Sequence, residues 1–423
     1  ERLLFRRLGT FAADFELGSA ERICSGGEID EFDVTELLMT LVDKSMVATE
    51  TAADATTRYL LLETLREYAR RQIESAGDRE ELQQRHAEHF ADLGSQLQAQ
   101  QRAGDLGGAL AALDRDEGDY RAALRYTLGA DHLTTTGRLI GGLGHLWYAG
   151  GQHREGLRWC DELFSRAPEL ADEVRADALH SYASLLNVMG HADRAIEAQQ
   201  EQVEIRRRLG DHERLGAALN NLGDALFDAG RFDDGELALA EAILELRRCG
   251  SSVASLALST RAMGRFTQGR FGEAEHDFRE ALGEARRAEH PYGIAISMDG
   301  LGQSLLALGR SDAARTQLIE ARERFHELAV APGIVNADIY LGVVERDLGN
   351  PLAAAEHFLA ALSDTGIHWY DDADFWPLQF AATVISDRSA AAVLVGAACA
   401  AYERSVIDQP AFVVAELRAV TER

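Results

Sequence analysis

The sequence is almost without lysine: of its 43 basic side chains only Lys44 is a lysine, and the other 42 are arginines. A Schiff base would therefore have to use Lys44. The phosphate-binding loop GxxxxGK[ST] is also absent, because Lys44-Ser45 follows Val42-Asp43 and no glycine stands nearby. The sequence predicts neither lysine-dependent catalysis nor a nucleotide-binding loop of that kind.

Cysteine and proline are scarce too. The four cysteines are far apart, with no CxxC pair, which predicts buried, reduced thiols and a cytoplasmic protein; they are Cys24, Cys160, Cys249 and Cys399. Six prolines and an aromatic content of 7% exclude collagen-like or proline-rich material. The longest apolar run, residues 390–402, is too short to span a bilayer, and no signal segment opens the chain, so no membrane partner is expected.

Acidic side chains dominate, with 70 acidic against 43 basic groups and a formal net charge of −27 over 423 residues. Hydrophobic residues at 46% indicate a folded chain rather than a disordered one. A negative field repels nucleic-acid phosphates, so a nucleic-acid partner is not expected. The chain has no initiator methionine and starts inside an amphipathic pattern at Phe5 and Leu8, so we expect it to be part of a longer protein.

A repeat of about forty residues runs through the middle of the chain. It is marked by glycines separated by 39 or 40 residues, at Gly151, Gly190, Gly230, Gly269, Gly309 and Gly349. A small residue stands seven positions before each of them, at Gly144, Ala183, Gly223, Ala262, Gly302 and Gly342. Another stands five positions after, at Gly156, Ala195, Gly235, Ala274, Ala314 and Ala354. Two antiparallel helices joined by a tight turn explain this spacing.

Nine residues after each turn glycine comes a larger side chain in most units, at Cys160, Gln199, Leu239, Phe278, Leu318 and Phe358. Turn signals between units stand at 210–211, 250–251, 290–291 and 331–332. These spacings resemble the tetratricopeptide repeat (TPR). The resemblance implies a right-handed α-solenoid of about six TPR-like helix pairs over residues 137–368, with a weakly matching first unit. We expect residues 369–423, with helices near 375–385 and 389–404, to form capping helices.

The first part of the chain has a different pattern. Three short amphipathic helices, near 5–11, 20–24 and 34–42, precede two strand-like runs at 46–49 and 58–62. Three helices followed by a β-hairpin predict a winged helix over residues 1–75. A further helical pattern at 63–73 leads into helical patterns at 80–98 and 106–128, which predict a helical linker over 76–136. The predicted fold class is therefore mainly α.

The segments VDKS at 42–45 and LLETLREYA at 61–69 resemble the winged helix of bacterial STAND regulators, the signal-transduction ATPases with numerous domains. Many of these are actinobacterial LuxR-type regulators. LDRDEGDYRAALRYTL at 113–128 and HLWYAGGQHREGLRWCDEL at 145–163 resemble that family's linker and first repeat. The resemblance implies a regulatory lid that packs on an upstream nucleotide-binding module, where ATP or ADP would bind. This chain itself is expected to carry no cofactor.

In that family a Met-His-Asp motif near the end of the winged helix contacts ADP. The matching positions are Leu61, Leu62 and Glu63, so the histidine is missing and only the acidic character is retained. Glu63 is thus the candidate that faces the nucleotide module.

A winged helix can also read DNA. Residues 1–75 contain 9 basic and 15 acidic side chains, and the third helix carries Glu36 between Asp33 and Asp43. Because DNA binding draws most of its affinity from phosphates neutralised by lysine and arginine, this charge disfavours DNA recognition.

No enzymatic signature is apparent. His86 and His89, three apart, lack an HExxH context for a metal. Asp371, Asp372 and Asp374 lack the spacing of a calcium loop, and no GxSxG motif occurs. The sequence predicts a non-catalytic chain without a resident metal.

A repeat array offers a groove lined by the first helix of each pair. TPR groove positions map onto His145, Tyr148, His180, Asn187, Asn220, Asp224, Met263, Phe266, Asp299, Gln303 and Arg346. Asparagines there can hold a peptide backbone, and aromatic rings can receive apolar side chains. Without lysine in the groove, a terminal-carboxylate ligand is not expected.

Three functions stay open on the sequence alone. One is the sensor arm of a STAND-type ATPase that binds a protein, peptide or small-molecule inducer. The second is a free-standing TPR adaptor or peptide receptor, and the third is a DNA-binding winged-helix regulator.

Overall fold

The computed structural model describes residues 1–51, 56–167 and 169–364. These residues form 19 helices and three short strands, so the mainly α fold is confirmed. The chain divides into two compact units, Glu1–Met189 and Gly190–Arg423. The division falls inside the predicted repeat region, and the four predicted segment boundaries stay a prediction. The predicted capping helices, Cys399 and the aspartates at 371, 372 and 374 lie outside the described residues.

The first unit begins with the predicted winged helix. Its elements are α1 (Arg2–Leu8), β1 (Phe15–Glu16), α2 (Leu17–Cys24), α3 (Glu31–Asp43), β2 (Ala48–Thr51), β3 (Thr57–Leu60) and α4 (Glu63–Ala76). The predicted hairpin is present, with Thr49 opposite Tyr59 in an antiparallel register. The sequence prediction missed β1, which pairs with β3 through Phe15 and Tyr59 and makes the sheet three-stranded, in the order β1-β3-β2.

Apolar side chains from the short helices and the strands meet in one core. Leu4, Leu8 and Leu38 are fully buried, and the rings of Phe11 and Phe15 stack with their centroids 4.2 Å apart. Such short helices are marginal alone, so burial of one face against the sheet and α4 stabilises them.

Arg58 on β3 joins the sheet to the helices that follow. Its side chain is almost fully buried, and its guanidinium donates to Asp14 Oδ2 at 2.8 Å and to Asp116 Oδ1 at 2.6 Å. It also donates to the carbonyl of Asp14 at 2.8 Å and to Glu16 Oε1 at 3.4 Å. A buried guanidinium needs this many acceptors, because an unpaired charge away from water is costly.

The rest of the first unit is helical. Its elements are α5 (Arg79–Arg102), α6 (Leu106–Arg115), α7 (Glu117–Gly129), α8 (Leu133–Ala149), α9 (His153–Arg166) and α10 (Asp172–Val188). The single helical stretch predicted over 106–128 is wrong: the chain breaks at Asp116, whose backbone ends α6 and whose side chain holds Arg58. The long α5 contacts α2, α7 and α8.

A buried polar link ties α5 to α7 and to the winged helix. His86 Nε2 lies 2.7 Å from Asp119 Oδ1, and the same oxygen accepts a hydrogen bond from the Ala12 amide at 2.7 Å. His89, one turn further on, lies 2.9 Å from the Ser19 hydroxyl through its Nε2. Both imidazoles that the sequence offered as a weak metal pair are therefore used in hydrogen bonds between elements.

The second unit contains α11 (Ala192–Leu209), α12 (His212–Asp228), α13 (Phe232–Arg248), α14 (Ala254–Thr267), α15 (Phe271–Arg287), α16 (Pro291–Ala307), α17 (Ser311–Glu327), α18 (Ala331–Asp347) and α19 (Pro351–Asp364). Successive helices pack as antiparallel pairs, so the TPR-like repeats are confirmed. All six turn glycines have positive φ, between 71° and 81°, which favours glycine there.

Glycines before the turns pack against the large side chains that follow the turns. A Cβ at Gly302 would lie 2.6 Å from Leu318 Cγ, so only glycine lets α16 approach α17 this closely. Gly223 faces Leu239, and Gly342 faces Phe358, in the same way. In these three pairs the second helix inserts its large side chain over the small residue of the first.

The predicted burial of the cysteines is confirmed for two of the three that the structure describes. Cys24 and Cys160 are buried as predicted, but Cys249 is exposed at the end of α13, because it follows the last buried turn of that helix. Among the described residues, no helix has the length and apolarity needed to cross a membrane.

Candidate functional site

The first helices of the repeats form a continuous surface in the second unit. The helices α12, α14, α16 and α18 contact one another in succession, whereas α13, α15 and α17 contact the first helices before and after them. This arrangement places the first helices on the inner side of the stack. Hydrogen bonds join some of them directly: the hydroxyls of Ser259 on α14 and Ser297 on α16 lie 3.2 Å apart.

The inner face of α16 carries a buried carboxylate that links two repeats. Asp299 is 7% exposed, and its Oδ2 accepts hydrogen bonds from Gln303 Nε2 and from Asn336 Nδ2, each at 2.7 Å. Its Oδ1 is buried and has no hydrogen-bond partner among the described residues. Burial raises the pKa of Asp299 to about 7, against the opposing effect of the two amide donors. The pair predicted from sequence, Asp299 and Gln303, is thus brought together.

Asn336 was not predicted. It lies on α18, ten residues before Arg346, and it bridges two repeats through Asp299. No groove position mapped from the sequence lies within one turn of Asn336, so the register gave no signal for it.

Asn220 and Asp224 lie one turn apart on α12. Asn220 is half-buried, its Nδ2 donates to Asn221 Oδ1 at 3.3 Å, and its own Oδ1 is buried without a hydrogen-bond partner in the described part of the chain. Asp224 is exposed at the surface. Desolvation by the surrounding groups, together with the charge of Asp228, raises the pKa of its carboxyl to about 7. Both side chains offer polar atoms to the inner face.

Met263 and Phe266 on α14 behave differently. Met263 is 37% exposed, as a groove residue should be, whereas Phe266 is only 3% exposed. The Phe266 ring packs in the apolar core and meets the ring of Phe271 edge-on at 5.2 Å. The structure therefore places Phe266 in the core and not at an open surface, because its ring packs against the following helix through Phe271. Arg346 on α18 is already paired with Asp347 Oδ1 at 2.9 Å.

In the first unit the predicted positions lie on α8 and α10, which contact each other. The rings of His145 and Tyr148 are 5.8 Å apart, and the ring of His153 is 6.0 Å from that of Tyr148. Burial, and to a lesser extent the charge of Arg102, lowers the pKa of His145 and favours its neutral form. His180 is half-buried and Asn187 exposed.

The positions that match the nucleotide-contacting motif lie at the start of α4. Leu61 is buried in the winged-helix core, whereas Leu62 is 57% exposed and Glu63 is exposed in the first turn. An exposed acidic group at this helix start is accessible to another domain. On the outer face of α3, Phe32 is 90% exposed next to the acidic Asp33 and close to Glu36.

One group of side chains has the spacing of a metal site: ligand atoms of His276, Asp277 and Glu280 lie within 4.8 Å of one another. Arg261 and Arg265 already hold the Asp277 carboxylate at 2.8 Å. Arginine thus supplies the positive charge that a cation would bring.

Comparison with known proteins agrees with the two-part architecture. The winged helix-turn-helix domain family matches residues 1–74, and the tetratricopeptide repeat family matches residues 174–243. A protein of Mycobacterium tuberculosis named "Putative HTH-type transcriptional regulator Rv0890c" is 31% identical over 233 residues. That match covers 53% of this chain and 26% of the relative, so the matched segment spans about a quarter of that protein.

Two solved structures are similar to this chain to different degrees. The Rap conjugation gene regulator of plasmid pLS20, solved with the Phr* peptide, has a TM-score of 0.52 at 12% identity, over 75% of this chain and 95% of that one. At this identity the likeness shows the fold alone. A STAND protein with a tetratricopeptide repeat sensor from Pyrococcus horikoshii reaches a TM-score of 0.47 at 14% identity, over 94% of this chain and 62% of that one, and a likeness of that strength carries no argument.

Proposed function

We propose that this chain is the non-catalytic sensor arm of a STAND-type ATPase or transcriptional regulator. In this proposal the repeats bind a protein, peptide or small-molecule inducer, and the winged helix controls an upstream nucleotide-binding module. The observation that carries the proposal is the tandem itself: a winged helix with an acidic outer face, followed in one chain by a repeat array with a polar inner face.

The winged helix supports this role through its charge. Glu36 stands on the face of α3 that would enter a DNA groove, and Phe32 on the same helix is 90% exposed. An apolar ring among carboxylates suits a protein surface and not a phosphate backbone. Leu62 and Glu63 at the start of α4 offer a second exposed contact for the nucleotide module.

The inner face supports inducer binding. Asp224 and Met263 are exposed on this face and offer it a carboxylate and an apolar group. A carboxylate accepts hydrogen bonds from the N–H and O–H groups of a ligand. A peptide or a polar small molecule has such donors.

The mechanism is a population shift between a closed and an open arrangement of lid and module. An inducer that binds the open arrangement better releases the lid, and a change from mostly closed to mostly open needs about 5 kcal/mol of differential affinity.

The test uses the full-length gene product with inducer-containing extract or purified inducer. Met263→Asp, on the inner face, is expected to abolish the inducer-dependent change in ATPase activity or oligomeric state. Leu237→Asp is the matched control, because Leu237 is 71% exposed on the second helix α13, and its response is expected to stay normal.

Deleting residues 190–364 is expected to uncouple the activity from inducer. The proposal fails if activity and assembly are identical with and without the repeats under both conditions. If the gene encodes no GxxxxGK[ST] loop upstream of residue 1, the chain is instead a TPR adaptor or peptide receptor. Binding of duplex DNA with a steep salt dependence would favour the third function, a DNA-binding winged helix.

A further inference from the structure

A recess in the first unit lies between the winged helix and the helices that follow it, apart from the repeat groove. It has a volume of about 550 Å³. Its walls are the end of α1 with the loop after it, the second half of α4, the start of α5 and the end of α7. A volume of about 300–1,000 Å³ is typical of small-molecule sites.

Beside the recess the chain at the end of α1 meets α4 at very close range. A Cβ at Gly9 would lie 2.7 Å from the Cβ of Ala69, so glycine is needed there. The loop that follows is then held by Arg70 on α4, which donates from Nε to the carbonyl of Gly9 and from Nη2 to that of Phe11, both at 3.2 Å. The loop forms one wall, and Arg70 stays at its edge.

Three guanidinium groups line this recess, those of Arg70, Arg79 and Arg125. Arg79 is paired with Glu74 Oε1 at 2.8 Å, and Glu74 is the only carboxylate among the lining residues. Arg125 on α7 makes no hydrogen bond or ion pair within residues 1–51, 56–167 and 169–364. An excess of positive groups in one recess stands out in a chain whose net charge is −27.

Neutral donors complete the lining. Thr10 and Gln83 border the recess, and Tyr126 lies beside Arg125, with its hydroxyl donating to the carbonyl of Glu80 at 3.2 Å. Ile73 and three alanines supply apolar surface. Guanidinium forks pair with the planar oxygens of carboxylates and with phosphates, and neighbouring hydroxyl and amide groups add directional hydrogen bonds.

We propose that this recess binds a small organic anion through a carboxylate or phosphate group. Arg125 is the primary anchor, since it has no competing acceptor, and Arg70 and Arg79 approach the same anion from α4 and α5. Because the anion would contact both the winged helix and α7, its binding would stabilise the packing of these elements against each other.

The test is calorimetric titration of the full 423-residue chain with citrate and, separately, with pyrophosphate, at constant ionic strength. Citrate represents carboxylate ligands and pyrophosphate represents phosphate ligands, so the tighter probe identifies the class. Arg125→Gln is expected to weaken binding of that probe about tenfold, the usual effect of losing one hydrogen bond to a charged group. Glu74→Gln is expected to tighten it, because it removes the competing carboxylate.

Arg154→Gln is the matched control. Arg154 is exposed on α9, outside the recess, and has no partner in the described parts of the chain, so this variant changes the net charge equally. Hydrogen exchange of segments 70–83 and 122–130 on probe addition localises the binding in the folded protein. The proposal is overturned if neither probe binds at millimolar concentration, or if Arg154→Gln weakens binding as much as Arg125→Gln.

Discussion

Replacing Gly300 by alanine is expected to destabilise the repeats, although alanine is the better helix former. Gly300 lies within α16, and a Cβ there would stand no farther than 2.7 Å from three ring atoms of Phe278 on α15. The Phe278 ring is 1% exposed and belongs to an apolar cluster of the second unit. A methyl group at residue 300 therefore has to displace a ring that is packed among other buried side chains.

The magnitude follows from two opposing effects. Alanine gains about 1 kcal/mol over glycine inside a helix. Forcing a methyl group into a filled core costs about 3 kcal/mol at such short distances. Gly300→Ala is therefore expected to lose about 2 kcal/mol of local stability. In a Phe278→Ala background the obstacle is gone, and the same change is expected to gain about 1 kcal/mol.

The assay is hydrogen exchange of peptides covering residues 271–307, because a repeat array opens in parts and has no single unfolding free energy. Gly283→Ala in α15 is the control: no atom lies within 4 Å of its Cβ position, so protection should rise. The packing argument is refuted if Gly300→Ala raises protection as Gly283→Ala does, or if its effect is the same with and without the Phe278 ring.

Three further predictions concern charged groups. Arg58→Met leaves Asp14 and Asp116 uncompensated and should cost about 3–5 kcal/mol by thermal unfolding of the first unit, whereas the exposed control Arg71→Met should cost under about 0.5 kcal/mol. Equal effects would contradict the proposed role of Arg58. Burial raises the pKa of Asp299 to about 7, above its unfolded value, so its contribution to stability is present at low pH and is lost as pH rises through 7. Exchange protection of α16 in Asp299→Asn should no longer fall between about pH 4 and pH 7, the interval between the unfolded and folded pKa, and an unchanged fall would count against it. Burial, aided by His86 and Arg22, lowers the pKa of His89 to about 4, so the first unit should lose stability as pH falls from about 6.5 toward 4. A His89→Gln variant with the same acid sensitivity in urea titrations would disprove this.

The repeat architecture was predictable because its signals are local and periodic. Each turn glycine needs positive φ, and each small residue opposite a large one is needed for close approach of two helices. These requirements recur at a constant spacing, so six weak signals reinforce one another. The winged helix was predictable for a similar reason, since its helices and hairpin differ in hydrophobic period.

The failures have a common physical origin in long-range contacts. The strand β1 has only two residues, too few for a period, and its pairing depends on Tyr59 and Arg58 far along the chain. The helix break at Asp116 depends on the same Arg58. Phe266 matched a groove position by register, but a large aromatic ring near a helix end is stabilised more by burial against Phe271 than by exposure.

The use of arginine links the fold to its proposed function. Most basic side chains of the winged helix are used inside the first unit, where they hold carbonyls and carboxylates; Arg6 binds Asp78, Arg7 binds the carbonyls of Cys24 and Gly26, and Arg66 binds that of Ala12. These three guanidinium groups do not neutralise DNA phosphates, since releasing them would leave their acceptors unpaired. The outer face of α3 stays acidic, and Arg125 of α7, which has no partner among the described residues, lies at the recess and not on that face. The distribution of positive charge thus argues for a winged helix that contacts protein, with attraction for anions confined to one recess.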